Sequence, residues 1–161
     1  MTSILRDLQV SRRRRALLCI ASILLVGGCA EADLPHFPPM PVHYELHLAD
    51  PRFRPLSTPG GVVLITQAET SIDALGLGGL IVVRSPLEAD RFFAYDLACP
   101  LERSREHRLH LDELEAVCET CHSHFDLLSG HGAPLSGPAE SPLGRYRALY
   151  DRDRGVVSIR P

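Results

Sequence analysis

The sequence predicts an all-β domain built from short antiparallel strands. Apolar and polar residues alternate over His43–Leu48, as in a strand with one buried face. Val62–Ile65 and Leu80–Val83 are short, rich in β-branched residues and preceded by glycine, as buried strands are. The turn residues of Asp151–Gly155 separate two further apolar segments and predict a C-terminal hairpin. Only Glu69–Leu77 has a pattern that allows a helical turn or two.

The remaining strands follow in sequence with turns between them. Arg91–Asp96 predicts a strand that leads directly to a cysteine-containing loop, and Arg145–Tyr150 and Val156–Ile159 are the two arms of the hairpin. The three glycines between positions 76 and 79 precede a strand, whereas a dinucleotide-binding fingerprint follows a strand and opens a helix. These glycines therefore predict no nucleotide site.

The first 28 residues have the organisation of an export signal. Arg12–Arg15 form a basic cluster, and the apolar segment Ala16–Gly28 has 13 residues. This segment is too short to span a hydrocarbon core of about 30 Å. Val26–Gly28 leads directly into Cys29, which resembles the lipobox of bacterial lipoproteins. The alternative is a buried helix with a chance cysteine, but such a helix gives no reason for four consecutive arginines at its start.

The lipobox resemblance implies a signal peptide over residues 1–28 and lipid on Cys29, which anchors the chain to a membrane of the cell envelope. Ala30 rather than an aspartate follows the cysteine, which favours the outer membrane over the inner one. Residues 29–41 hold four prolines and predict a semi-extended tether. Residues 42–161 then form one domain outside the cytoplasm.

Charge and motifs exclude several classes of function. Removing residues 1–28 leaves 12 arginines, no lysine and 19 acidic residues, a net charge of −7. Such a chain is a poor candidate for binding nucleic acid, because that affinity depends on neutralising phosphates. The sequence has no Ser–His–Asp order and no G-x-S-x-G elbow, so we expect that the protein is not an enzyme.

Three cysteines of the predicted domain are the candidate functional residues: Cys99, Cys118 and Cys121. A disulfide between two of them would leave a lone thiol in an oxidising compartment. Three thiolates and one further ligand would instead complete a tetrahedral zinc or iron site. Cys118–His122 also reads C-x-x-C-H, the attachment motif of c-type haem. That alternative is weakened because no methionine follows Met40 and the surroundings predict strands.

The cysteine segments resemble a Rieske [2Fe–2S] domain. A ligand loop at Cys118–His122 is followed by Phe125-Asp126, a glycine at position 130 and Gly137-Pro138-Ala139. The Rieske pattern C-x-H … C-x-x-H has its counterpart in Cys99-x-Leu101, 16 intervening residues and Cys118-x-x-Cys121. In these altered loops the chain resembles Rieske-like envelope lipoproteins that carry cysteine-altered ligand loops. The resemblance implies an antiparallel sandwich with a cluster-binding subdomain inserted at about residues 97–138.

Both ligand histidines of that pattern are replaced here. The resemblance implies that Cys99 and Cys118 hold one iron, that Cys121 takes the place of one histidine, and that Leu101 takes the place of the other without any ligand atom. A cluster would need another side chain, and His122 is the favoured one among Glu102, His107, His122 and His124. A thiolate in place of an imidazole would lower the reduction potential.

We therefore expect an envelope-anchored iron–sulfur or other metal-binding protein that transfers electrons to a redox protein partner. Its metal ligands are predicted to be Cys99, Cys118, Cys121 and His122, and the cofactor a [2Fe–2S] cluster, zinc or none. The alternative is a degenerate, metal-free or disulfide-bonded interaction module.

The lipobox prediction is testable in cells. A fatty-acid analogue should label the wild-type chain and leave Cys29→Ala unlabelled, because the acyl acceptor is the thiol of that cysteine. Equal labelling of both chains would contradict it.

Overall fold

The computed structural model describes residues 40–161; the predicted signal peptide, Cys29 and all but the end of the tether lie outside these residues. The strands are β1 (Val42–His47), β2 (Val62–Ile65), β3 (Ala74–Leu75), β4 (Leu80–Arg84), β5 (Phe92–Asp96), β6 (His110–Asp112), β7 (Glu115–Val117), β8 (His124–Asp126), β9 (Pro134–Ser136), β10 (Arg145–Asp151) and β11 (Val156–Arg160). A 3-10 helix spans Pro51–Ser57. Within residues 40–161, no helix is long and apolar enough to cross a membrane.

The strands form two antiparallel sheets. The larger has seven strands in the order β2-β4-β5-β10-β11-β1-β3, and it curls into a near-barrel. The smaller has four strands in the order β6-β7-β8-β9, and all four lie in sequence between β5 and β10 of the larger sheet. The predicted all-β antiparallel fold with an inserted subdomain is confirmed.

Two apolar cores meet at β4 and β5. Leu80 and Val82 face the core enclosed by the seven-stranded sheet, whereas Ile81 and Val83 face a second core. This second core joins the outer face of the large sheet to the inserted one through buried residues such as Ala116 and Phe125. Both faces of β4 are therefore covered, which explains why its sequence is continuously apolar rather than alternating.

The helical turn that the sequence allows over Glu69–Leu77 does not form. A carboxylate oxygen of Asp73 accepts hydrogen bonds from the backbone N–H groups of Glu69 and Thr70, at 2.9 and 2.8 Å, which bends the segment into a turn. The helix forms earlier in the chain, where Asp50 caps its N-terminus and Pro51 opens its first turn.

A buried carboxylate fixes the start of the first cysteine loop. Asp96 is fully buried; its Oδ1 accepts from the backbone N–H groups of Gly78 and Ala98, and its Oδ2 from Leu77 N–H and the Tyr146 hydroxyl. These four donor–acceptor distances lie between 2.6 and 2.9 Å. A buried carboxylate is tolerated because every bond to it is charge-assisted. The loop that follows thus begins from a fixed point.

Candidate metal centre

Two loops at one end of the inserted sheet carry the three cysteines. Cys99 follows β5, in the loop that continues to β6, and Cys118 and Cys121 lie in the short loop between β7 and β8. The two loops are linked by a hydrogen bond of 2.8 Å between His107 Nδ1 and Thr120 Oγ1. The fold therefore brings together candidate ligands from two loops that are distant in the sequence.

Each loop is closed by its own backbone. In the first, Cys99 N–H donates to His107 O at 3.1 Å, and Cys99 O accepts from Arg103 N–H at 2.9 Å. In the second, Cys118 O accepts from His122 N–H at 2.9 Å and Cys118 N–H donates to Ser123 O at 3.0 Å. These bonds aim the thiols of both loops at a common point.

The three sulfur atoms converge. The Sγ atoms of Cys99, Cys118 and Cys121 all lie within 4.8 Å of one another, and Cys99 Sγ is 3.6 Å from Cys121 Sγ. All three are free thiols; Cys99 and Cys118 are buried in the second core, whereas Cys121 is partly exposed. The inner side of the site is therefore closed to solvent, whereas the side formed by Cys121 is accessible to solvent.

Proton affinities differ within the cluster. Burial, and after it hydrogen bonding with the thiols of Cys118 and Cys121, raises the pKa of the Cys99 thiol to about 12, against the lowering effect of the backbone N–H groups of Leu101 and Glu102. Burial also raises the pKa of Cys121, but hydrogen bonds from Ser123, Cys118 and Cys99 outweigh it and leave this pKa below its ordinary value. Cys121 therefore loses its proton to a metal ion more readily than Cys99 does.

A third loop covers the cluster. Ser123 Oγ lies 3.2 Å from Cys121 Sγ and accepts a hydrogen bond of 3.0 Å from Ala139 N–H. Gly137 has a φ of 90°, and a Cβ at that position would lie 2.5 Å from the Cα of Ser123. The segment from Gly137 to Ala139 can pack this closely on the second cysteine loop only because position 137 has no side chain.

The other candidate ligands, and Leu101 at a histidine position of the Rieske pattern, are not part of the sulfur cluster. His122 is exposed, with a φ of 55°, and Leu101 is about half exposed at 48%. His124 Nδ1 is 2.8 Å from a carboxylate oxygen of Glu115. Among residues 40–161, no His, Asp or Glu brings a ligand atom into the group formed by the three sulfurs.

This donor set does not match a Rieske-type [2Fe–2S] cluster, which takes two thiolates and two imidazoles. The described residues supply three sulfurs, and no imidazole joins them. The burial of Cys118 in an apolar core likewise does not favour the covalent attachment of a haem. The geometry does suit a metal bound by thiolates alone, with any further ligand coming from elsewhere.

Comparisons with known proteins find likenesses among solved structures only. No family model matches the chain, and no curated protein matches it. A ferredoxin of carbazole 1,9a-dioxygenase from Nocardioides aromaticivorans IC177 is 21% identical, over 76% of this chain and 99% of that one, with a TM-score of 0.42. The Sphingomonas yanoikuyae B1 ferredoxin is 19% identical, over 65% and 88%, with a TM-score of 0.39.

A third likeness is to the complex of reduced oxygenase and oxidized ferredoxin in carbazole 1,9a-dioxygenase. It is 22% identical over 63% of this chain and 82% of that one, with a TM-score of 0.39.

The covering loop provides a test. Gly137→Ala and Gly155→Ala both place alanine in a left-handed conformation, at a cost of about 1–2 kcal/mol each. Only the first also meets backbone, since a Cβ at Gly155 has open space. We expect Gly137→Ala to lower the free energy of unfolding, measured with urea, by at least about 1 kcal/mol more than its control. Equal losses would contradict the packing described.

Proposed function

We propose that the chain is an envelope-anchored metal-binding protein with a Rieske-like domain, whose metal is bound by Cys99, Cys118 and Cys121. The observation that carries the proposal is the convergence of three Sγ atoms, from two separate loops, within 4.8 Å of one another. Thiolates favour thiophilic metals such as zinc, copper(I) and iron. A metal bound here would join both loops and replace the lost proton–sulfur bonds by metal–sulfur bonds.

Electron transfer is the proposed role when the bound metal is redox-active. Cys121 is partly exposed whereas Cys99 and Cys118 are buried, so an ion bound by all three would lie just beneath the surface. A protein partner that docks over Cys121 could therefore exchange electrons with the bound metal ion over a short distance. The Rieske-like spacing of the two loops in the sequence supports the same role.

Anchoring to the envelope is proposed from the sequence. The basic cluster, the short apolar segment and Cys29 together match a lipoprotein signal, and the proline-rich residues 29–41 would hold the domain away from the membrane. The outer membrane is the favoured location, with the domain outside the cytoplasm.

A disulfide-bonded interaction module is the second candidate. The Cys99 and Cys121 sulfurs are 3.6 Å apart, so a shift of about 1.6 Å would bring them to the S–S bond length of about 2.0 Å. In that case Cys118 would remain as a buried, unpaired thiol with no assigned role.

Serine substitutions separate the two candidates. If a metal is bound, Cys99→Ser, Cys118→Ser and Cys121→Ser should each remove most of the bound metal and lower stability by similar amounts, because metal binding is coupled to folding. Metal content and urea unfolding are the measurements. If the wild-type chain held no metal, and Cys99→Ser and Cys121→Ser lost more stability than Cys118→Ser, the disulfide module would replace the metal-binding proposal.

A further inference from the structure

The geometry points to a single thiophilic metal ion, bound by the thiolates of Cys99, Cys118 and Cys121 with its fourth coordination position open, in place of a two-iron cluster. This inference rests on the proposed function, since it specifies the metal that the three cysteines bind. The Rieske resemblance of the sequence instead implies two irons, with Cys99 and Cys121 on different ones.

The sulfur spacing is the first argument. Zn–S bonds of about 2.3 Å place the sulfurs of a tetrahedral site about 3.8 Å apart. Cys99 Sγ and Cys121 Sγ are separated by 3.6 Å, and no pair in the cluster exceeds 4.8 Å. Small rotations of the thiols would therefore bring all three onto one ion.

The same spacing disagrees with a two-iron arrangement. In such a cluster two tetrahedra share an edge, and terminal ligands on different irons are at least about 5 Å apart when metal–sulfur bonds are near 2.3 Å. The Rieske resemblance assigns Cys99 to one iron and Cys121 to the other. At 3.6 Å this pair is too close for that assignment and has the spacing of two ligands on the same ion.

The donor count is the second argument. His107 Nδ1 is bonded to Thr120 and His124 Nδ1 to Glu115, while His122 lies outside the sulfur group. The described residues therefore leave one position of a tetrahedral ion without a protein ligand. Because Cys121 is the exposed member of the cluster, water or a small exogenous ligand can reach this position, as in zinc sites that keep one open coordination site.

The experiment measures how many ions the full chain binds. Chain isolated under anaerobic conditions and stripped with a chelator is titrated with Zn²⁺ in one arm. In the other arm it is incubated with ferric iron, sulfide and a thiol reductant. Protein-bound metal and acid-labile sulfide are then measured after desalting. Cys121→Ser is the test variant and His122→Ala, one residue away on the same loop, is its matched control.

We expect one Zn²⁺ per wild-type chain, the same in His122→Ala, weakened binding by at least tenfold in Cys121→Ser, and no two-iron, two-sulfide product. Two irons and two labile sulfides per chain would overturn this inference and leave the proposed metal binding intact. Loss of Zn²⁺ in His122→Ala would overturn the open position, since that imidazole would then be the fourth ligand. Failure of both arms to load wild-type chain would overturn the proposed function itself.

Discussion

The packing of the inserted sheet on the outer face of β4 and β5 is the constraint on which the metal centre depends. Cys99 and Cys118 are themselves members of the core formed there, so the sulfurs converge only while the two sheets stay together. Burial of apolar surface, at roughly 25 cal/mol per Å², drives that contact. Any metal bound by the cysteines would further stabilise the contact between the two sheets, so metal binding is coupled to the stability of the fold.

Polar groups set the position of each loop within this apolar frame. Asp96 fixes the chain just before Cys99 by accepting a hydrogen bond from Ala98 N–H. The Tyr146 hydroxyl and the backbone N–H groups of the glycine turn before β4 donate the other hydrogen bonds to the Asp96 carboxylate. On the other side, the Ser123 hydroxyl joins Cys121 to the covering loop. Hydrophobic packing thus brings the loops together, and a few buried hydrogen bonds aim the thiols.

The long strands were predictable because their patterns reflect burial. β1 alternates since one face is buried, and β4 is continuously apolar since both faces are. The strands β6 to β9 have three residues each, too few for any periodicity to register. The only sequence feature that indicates the 3-10 helix is the capping pair Asp50-Pro51. In Glu69–Leu77, the hydrogen bonds to the Asp73 carboxylate form a turn where the sequence pattern allows a helical one.

The site was predictable in its members but not in its geometry. Loop spacing singled out the three cysteines, whereas the 3.6 Å approach of Cys99 to Cys121 depends on how two loops cross in space. The role of Ser123 was not predictable, because a serine two residues after a cysteine carries no signal until a third loop packs against it. The exposed location of His122, favoured as a ligand from the sequence, likewise follows from a left-handed backbone that the sequence does not reveal.

Mass spectrometry of freshly isolated, unreduced protein tests the central claim most directly. If the three cysteines act together as metal ligands, all should be reduced and without a disulfide, protected from an alkylating reagent until a chelator is added and fully alkylated afterwards. A stoichiometric disulfide between any two of Cys99, Cys118 and Cys121 would contradict the metal centre.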